Sequence, residues 1–288
     1  MPIEFLAQSA EFAILSLAPE RWKSLNDDSS FQKVSFAWTD APKRLPSIKL
    51  PSGAITIPTP GATLIWAAAY QYWVLYSEYL EDQKAGVAFF NLLSTLRRTK
   101  AQLTYFWALN HYQHPSQARF PDLPDPADTG DEDVQVANEL YLAALGWILH
   151  HEFAHLRCNH PPVTAIEHQE EKQADLEATK WIFEACTDPA QRKKRALGMC
   201  VAILLLTAIG LEAGDFDDRT HPKAFVRLDY CLGAAGLDDD HIAFAFSTLM
   251  MRVHLTVAGI QLPSSDGAQS HREIFSDHLY AISQANKG

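Results

Sequence analysis

The spacing of apolar positions predicts that most of the chain is helical. Apolar and aromatic residues recur at helical intervals, without an internal proline, over residues 62–79 and again over residues 87–112. Within residues 1–60, short extended pieces such as residues 54–57 are bracketed by Pro46, Pro51, Pro58 and Pro60, which favours irregular structure with a small β element. Because strand-like patterns are scarce after residue 60, the sequence predicts a mainly α fold. The aromatic stripe of the first helix is interpreted as core packing and comprises Trp66, Tyr70, Trp73 and Tyr76.

A segment rich in proline and acid, residues 120–133 (FPDLPDPADTGDED), separates these predicted helices from the next one. Proline cannot continue a helix and the segment has no apolar face, so we predict a loop, with Asp131 or Asp133 at the start of the next helix. The loop suggests two regions. Residues 1–130 form a helical region for contact with substrate or for regulation, and residues 131–288 contain the candidate chemistry. One continuous domain remains the alternative.

Composition narrows the classes of function. With 288 residues and 47% apolar content, the chain can bury a large core without disulfides. Its net charge of −11 argues against a nucleic-acid partner, because such binding depends on Lys and Arg that neutralise phosphates. The four cysteines form no CxxC pair, so the sequence predicts neither a disulfide framework nor a thiolate metal site. A cytoplasmic location is expected, because the first residues also lack the features of a secretory signal.

One strongly apolar segment, residues 196–211 (ALGMCVAILLLTAIGL), fits either a protein core or a membrane. It is sixteen residues long, whereas a transmembrane helix needs about twenty. We therefore predict a helix that is buried in the core, and no membrane partner.

The candidate chemistry lies in HEFAH, which follows a long apolar lead-in on a predicted helix over residues 134–157. A separation of four residues places the imidazoles of His151 and His155 on one helix face, where both can bind one cation. Glu152 lies about 100° around the helix, near enough to act on a water at that cation. This is the zincin arrangement, so we predict zinc (Zn2+) held by His151 and His155, with Glu152 as the base. The neighbouring His150 is interpreted as a hydrogen-bonded core histidine.

A third protein ligand is required, and the sequence after HEFAH excludes one way to supply it. A metzincin needs glycine at position 158 and histidine at position 161, but the chain has Cys158 and Pro161. His160 is one place early and is interpreted as a turn residue. In the next predicted helix, Glu171 and Asp175 stand four residues apart on one face.

We predict Glu171 as the third ligand and Asp175 as the acceptor of a hydrogen bond from the outer nitrogen of a ligating histidine. Farther along the chain, His221 and Arg227 are predicted to stabilise the oxyanion of a tetrahedral intermediate. Residues 131–288 are therefore predicted to be the zinc peptidase core, in which the HExxH helix packs against the helix that carries Glu171.

Three segments in order, HEFAH, EKQAD and HPKAFVR, resemble the HExxH, ExxAD and HPxxxxR elements of the HtpX-like gluzincin peptidases. Those enzymes are membrane proteins with long insertions between the first two elements, whereas fifteen residues separate His155 from Glu171 here. A chain of this length with its HExxH helix past the midpoint is more similar to the Lit-type phage-exclusion peptidases.

The Lit-type resemblance implies a cytoplasmic protease that a phage-derived peptide activates and that then cleaves elongation factor Tu of the host. Two other readings remain open. In one, the chain is a membrane-associated housekeeping protease of the HtpX-like kind, anchored by residues 196–211. In the other, it is a non-catalytic helical interaction module in which the metal is structural or the HExxH match is accidental.

Overall fold

The computed structural model describes residues 3–87, 91–92, 94–115, 123–161, 168–213, 223–257 and 269–285. Helices dominate this part of the chain, as the apolar spacing predicts. They are α1 (Ala7–Ser16), α2 (Trp22–Asn26), α3 (Thr59–Lys84), α4 (Leu96–Gln113), α5 (Glu132–Arg157), α6 (His168–Phe183), α7 (Pro189–Ala213), α8 (Ala224–Ala234), α9 (Ile242–Val257) and α10 (His271–Ala285). The prediction of a mainly α fold is confirmed.

A small sheet precedes α3 and confirms the predicted β element. Its strands are β1 (Ser35–Thr39), β2 (Ser47–Lys49) and β3 (Ala54–Pro58), in the spatial order β1-β3-β2. The central strand β3 runs parallel to β1 and antiparallel to β2, with Ile55 opposite both Phe36 and Ile48. Ile55 and Ile57 are fully buried, because alternate residues of a strand point to the same face. The order leaves β2 at an edge of the sheet.

The two long helices predicted before residue 113 differ in how well their predicted bounds agree with the structure. The first is longer than predicted, and it ends before Gly86, whose φ of +70° belongs to a left-handed helix terminus. The second begins at Leu96 rather than at residue 87, so that bound was wrong. Thr95 sets the start, because its side chain accepts a hydrogen bond from Arg98 N at 3.0 Å. Three members of the aromatic stripe are buried in the core, namely Trp66, Tyr70 and Tyr76.

Helix α5 is central to the fold and contacts α1, α3, α6 and α7. Asp131 caps its first turn by accepting hydrogen bonds from Asp133 N and Val134 N at 2.9 and 3.2 Å. Close crossing of α7 over α5 requires a glycine, because a Cβ atom on Gly198 would lie 2.4 Å from Ala143 Cβ. The HExxH end of α5 is therefore held by packing along the whole helix.

Helix α7 contains the apolar segment that resembles a membrane span. Residues 196–205 of this segment are all buried inside the protein, as is Ala208. The prediction of a core helix is therefore confirmed. Among the residues that the structure describes, no helix is both long and apolar enough to cross a membrane.

The predicted N-terminal region packs directly on the predicted core. Helices α1 and α3 and strand β2 all contact α5. Buried residues of both regions also belong to one hydrophobic cluster, with Leu17 and Trp66 on one side and Leu145 and Leu204 on the other. The division at residue 130 stays a prediction, but the N-terminal elements clearly help to position α5.

Candidate active site

Helices α5 and α6 bring three possible metal ligands together in the interior. His151 and His155 lie one turn apart on α5, and Glu171 lies in the first turn of α6; all three are buried. The Nε2 atoms of the two histidines are 3.1 Å apart. The carboxylate oxygens of Glu171 lie 3.4 Å from His151 Nε2 and 3.5 Å from His155 Nε2. The cluster has the composition and the size of a single-metal site.

The chemistry of these donors fits a bound cation. Two imidazole nitrogens and a carboxylate converge away from water, and without a positive charge their lone pairs repel one another. The pKa of His151 shows the same preference for a positive charge among these groups. Burial acts to lower the pKa of His151, but hydrogen bonds and negative charge from Asp175 and Glu171 outweigh it and raise the pKa to about 10. Burial and the adjacent His151 lower the pKa of His155 to about 3. Two histidines and one carboxylate could hold a divalent transition metal, with a coordination position left for water.

Asp175 lies at the outer nitrogen of His151, as the sequence predicts. Its Oδ1 atom is 2.8 Å from His151 Nδ1. Arg227 donates to the same carboxylate, from Nε to Oδ2 at 2.8 Å and from Nη2 to Oδ1 at 2.7 Å, and the hydroxyl of Tyr230 donates to Oδ2. Burial acts to raise the pKa of Asp175, but Arg227 and His151 hold it well below its usual range. An ionised Asp175 therefore directs His151 Nε2 toward the other ligands.

Of the two predicted oxyanion residues, the structure describes only one. Arg227 is 5% exposed and lines the cavity at the site, but its Nε and Nη2 atoms bind Asp175. These contacts make it an anchor for Asp175, and its oxyanion role stays a prediction. His221 lies outside the described residues. Sequence reasoning missed Tyr230, although its spacing of three residues from Arg227 places both on one face of α8.

Glu152 is in position to serve as a base beside the ligand cluster. It is half-buried on α5, and its Oε2 atom accepts a hydrogen bond from Ile48 N, in strand β2, at 2.8 Å. Burial raises its pKa to about 7, against the opposing effects of His151 and the Ile48 hydrogen bond. A carboxylate with a pKa near neutrality can both take up and release a proton at physiological pH.

A cavity of about 260 Å3 opens at the cluster, and its wall includes His151, Glu152, His155 and Glu171. Most of the remaining wall is apolar. Strand β2 and the residues around it supply one side, including Leu45 and Ile48, and helices α5 and α7 supply the other, including Trp147, Ala202 and Leu206. An apolar cavity with a few convergent polar groups is typical of a site that binds and transforms a substrate.

Two further histidines lie near the cluster. His150 is 2% exposed, contacts Trp181 and forms a hydrogen bond with the Ile14 backbone, as expected for a core histidine. His160 lies in the turn after α5, as interpreted from the sequence, but it also contacts a predicted ligand. Its Nδ1 atom is 2.8 Å from His155 Nδ1. The sequence contained a signal for this contact, because asparagine tolerates the left-handed conformation that ends many helices, and Asn159 directly precedes His160.

Comparisons with known proteins give a concordant result. The family described as peptidase U49 matches residues 55–247 of the chain. A curated relative, the cell death peptidase of Escherichia coli (strain K12), is 34% identical over 225 residues, which cover 76% of this chain and 75% of that protein. No solved structure matches the chain significantly. The matched range includes all of β3 except Ala54, both helices that carry the cluster, and the helix that carries Arg227 and Tyr230.

Proposed function

Since the chain belongs to the peptidase U49 family and is therefore a protease, we propose that it is a zinc-dependent endopeptidase that hydrolyses a cytoplasmic protein. The resemblance to Lit-type peptidases is confirmed by the same matches. The observation that carries the metal assignment is the buried convergence of His151, His155 and Glu171, whose ligand atoms lie within 4.8 Å of one another. Two histidines and one carboxylate are the ligand set of several catalytic zinc sites.

The residues around the cluster have complementary roles in peptide hydrolysis. Zinc held by three protein ligands supplies Lewis acidity and lowers the pKa of water to about 7. Glu152 takes a proton from the attacking water as the new C–O bond forms, and it then gives this proton to the amide nitrogen as the C–N bond breaks. Asp175 keeps the proton of His151 on Nδ1, so that Nε2 remains available as a ligand.

The shape of the cavity favours an extended polypeptide as substrate. Strand β2 forms one wall, lies at the sheet edge and directs the N–H of Ile48 toward Glu152. An extended peptide can add its main chain to such an edge and so place a scissile bond beside the base. The apolar side chains of Ile48, Trp147 and Leu206 then suit an apolar residue of the substrate.

For the identity of the substrate we carry over what the Lit-type resemblance implies. We propose that the chain cleaves elongation factor Tu in the cytoplasm, after activation by a phage-derived peptide. In support, the curated relative is named a cell death peptidase, and cleavage of a translation factor would stop growth of the cell.

The test combines metal content with proteolysis. Wild type, Glu152→Gln and Glu171→Ala are purified, their zinc is quantified, and each is incubated with elongation factor Tu and with a bacterial lysate, with and without phage extract. Glu139→Gln is the matched control, because Glu139 is exposed on the same helix as Glu152. We expect one equivalent of zinc in wild type, Glu152→Gln and Glu139→Gln, less in Glu171→Ala, and cleavage by wild type and Glu139→Gln alone.

Other outcomes separate the alternatives. Proteolysis by Glu152→Gln would refute its role as the base. Zinc in all four proteins, without cleavage under any condition, would favour a structural metal in an interaction module. Cleavage of lysate proteins but not of elongation factor Tu would retain the peptidase and replace the substrate.

A further inference from the structure

His155 needs a hydrogen-bond partner on the side that faces away from the cluster. Its Nε2 atom points to His151 Nε2 and Glu171 Oε1, at 3.1 and 3.5 Å. If Nε2 binds the metal, the single proton of the neutral ring lies on Nδ1 and must be donated to an acceptor. His160 Nδ1, at 2.8 Å, lies where that acceptor is required.

The remaining contacts of His160 agree with the acceptor role. When Nδ1 of His160 accepts the proton of His155, the proton of His160 itself is on Nε2. That atom lies 3.2 Å from Gln173 Oε1. The amide nitrogen of Gln173 points to the Sγ atom of Cys158, at 3.6 Å, which leaves its oxygen turned toward His160. The protons of the hydrogen bonds that run from Gln173 through His160 to His155 can therefore be assigned in one consistent way.

The backbone after α5 holds His160 beneath His155 independently of the side chains. Asn159 adopts a left-handed conformation, with φ of +55°. His160 N then donates to His155 O at 3.0 Å, and Asn159 N donates to Leu156 O at 3.2 Å. This is the Schellman termination, in which an asparagine can replace the usual glycine. The helix end thus brings the two rings together by its own geometry.

We propose that His160 is a positioning residue that orients the metal ligand His155, with Gln173 fixing the tautomer of His160. The inference rests on the proposed metal site. It gives each of the two histidines a hydrogen-bond partner from outside the cluster: Asp175 for His151 and His160 for His155. Helix α6 acts on both histidines, because it carries Asp175, which contacts His151, and Gln173, which contacts His160.

The test compares variants that keep or remove the acceptor. In His160→Asn, the amide oxygen can replace Nδ1 as an acceptor, whereas His160→Phe retains a ring without one. Zinc affinity is measured by competition with a chelator, and the absorption spectrum of the cobalt-substituted protein reports the ligand geometry. Loss of an outer partner typically costs 10- to 100-fold in metal affinity. We expect a loss of roughly that size for His160→Phe, with a shifted cobalt spectrum, and a loss of less than about threefold for His160→Asn.

Gln173→Leu provides a second route that leaves the core untouched, because Gln173 is exposed on α6. We expect it to weaken zinc binding by about threefold to tenfold, since its effect passes through His160. Lys180→Leu is the control, an equivalent change at another exposed position of the same helix. Melting of each metal-free protein shows whether the fold has changed.

The outcomes distinguish this inference from the proposed function. Zinc binding by wild type with unchanged affinity in His160→Phe and Gln173→Leu would overturn the inference and leave the metallopeptidase intact. Equal losses in His160→Asn and His160→Phe would also overturn it, because the acceptor would not matter. Should His160→Phe fail to fold, Gln173→Leu decides alone. A wild type that binds no zinc would refute the proposed function and the inference together.

Discussion

Arg227 and Asp175 form a bidentate ion pair in the interior, in which Nε and Nη2 of Arg227 donate to the two carboxylate oxygens at 2.8 and 2.7 Å. Asp175 is fully buried and also contacts His151. The pair thus joins α8 to α6, the helix that carries Glu171, and, through His151, to α5. A single buried carboxylate therefore links the stability of the helix packing to the orientation of His151, a proposed metal ligand.

Asp175→Asn should destabilise the protein, because the amide leaves the buried guanidinium of Arg227 without its hydrogen-bonded carboxylate. Removal of one partner from a buried ion pair costs about 3–5 kcal/mol, and we expect the free energy of unfolding of the metal-free protein to fall by roughly 3 kcal/mol. Urea denaturation of the metal-free protein measures this loss in the free energy of unfolding. Tyr230→Phe, which removes one hydrogen bond to the same carboxylate, should cost only about 1 kcal/mol. A loss below 1 kcal/mol for Asp175→Asn would refute this account.

Gly198→Ala should be destabilising although alanine favours helices. The added Cβ atom would lie 2.4 Å from Ala143 Cβ, so α7 would have to move away from α5. Such overpacking costs about 1–3 kcal/mol. The control is Gly233→Ala in α8, where a Cβ atom would meet nothing within 4 Å, and which we expect to stabilise by about 0.5–1 kcal/mol. Thermal melting measures the change in Tm of each variant relative to wild type. The prediction is wrong if the two changes have the same sign.

His150 should make stability depend on pH. Burial is the main cause that lowers its pKa to about 3 in the folded protein, whereas an unfolded histidine has a pKa of about 6.5. Below pH 6.5 the unfolded chain binds a proton at His150 that the folded protein does not. The contribution of His150 to the free energy of unfolding is therefore fully present above pH 6.5 and decreases as the pH falls toward 3.

Wild type should lose about 1 kcal/mol more than His150→Gln between pH 7.0 and pH 5.5. Denaturation of both proteins in the presence of a chelator measures the difference and excludes metal release as its cause. Parallel losses in the two proteins would show that His150 is not the group responsible.

Leu206→Trp should block the cavity without disturbing the ligands. Leu206 lines the apolar wall on α7, and a larger side chain there would occupy space that a substrate residue needs. We expect kcat/KM for the protein substrate to fall by about tenfold or more while zinc content stays at the wild-type level. Leu96→Trp is the control, because Leu96 is 90% exposed at the start of α4. Unchanged cleavage by Leu206→Trp would mean that the substrate does not use this cavity.

Local geometry explains which parts of the fold and the site could be predicted from the sequence. The helical period places His151 above His155 and Glu171 above Asp175, whatever surrounds them. The same periodicity predicts the helix that carries each pair, and the length of the apolar segment in α7 predicts that it lies in the core. The predicted bounds were less accurate: α3 is longer than predicted at both ends, and α4 begins at Leu96 because a single capping threonine, Thr95, determines its start.

Tertiary structure decided which of these local pairs meet. Ile48 N binds Glu152 across 104 positions of sequence, and Arg227 binds Asp175 across 52. No local period relates such residues, because their contact depends on how β2, α5, α6 and α8 pack as whole elements. The sequence by itself thus determined the ligand types and their spacing on each helix. The tertiary fold alone determined that His151, His155 and Glu171 converge, that the buried Arg227 lowers the pKa of Asp175, and that His160 lies against His155.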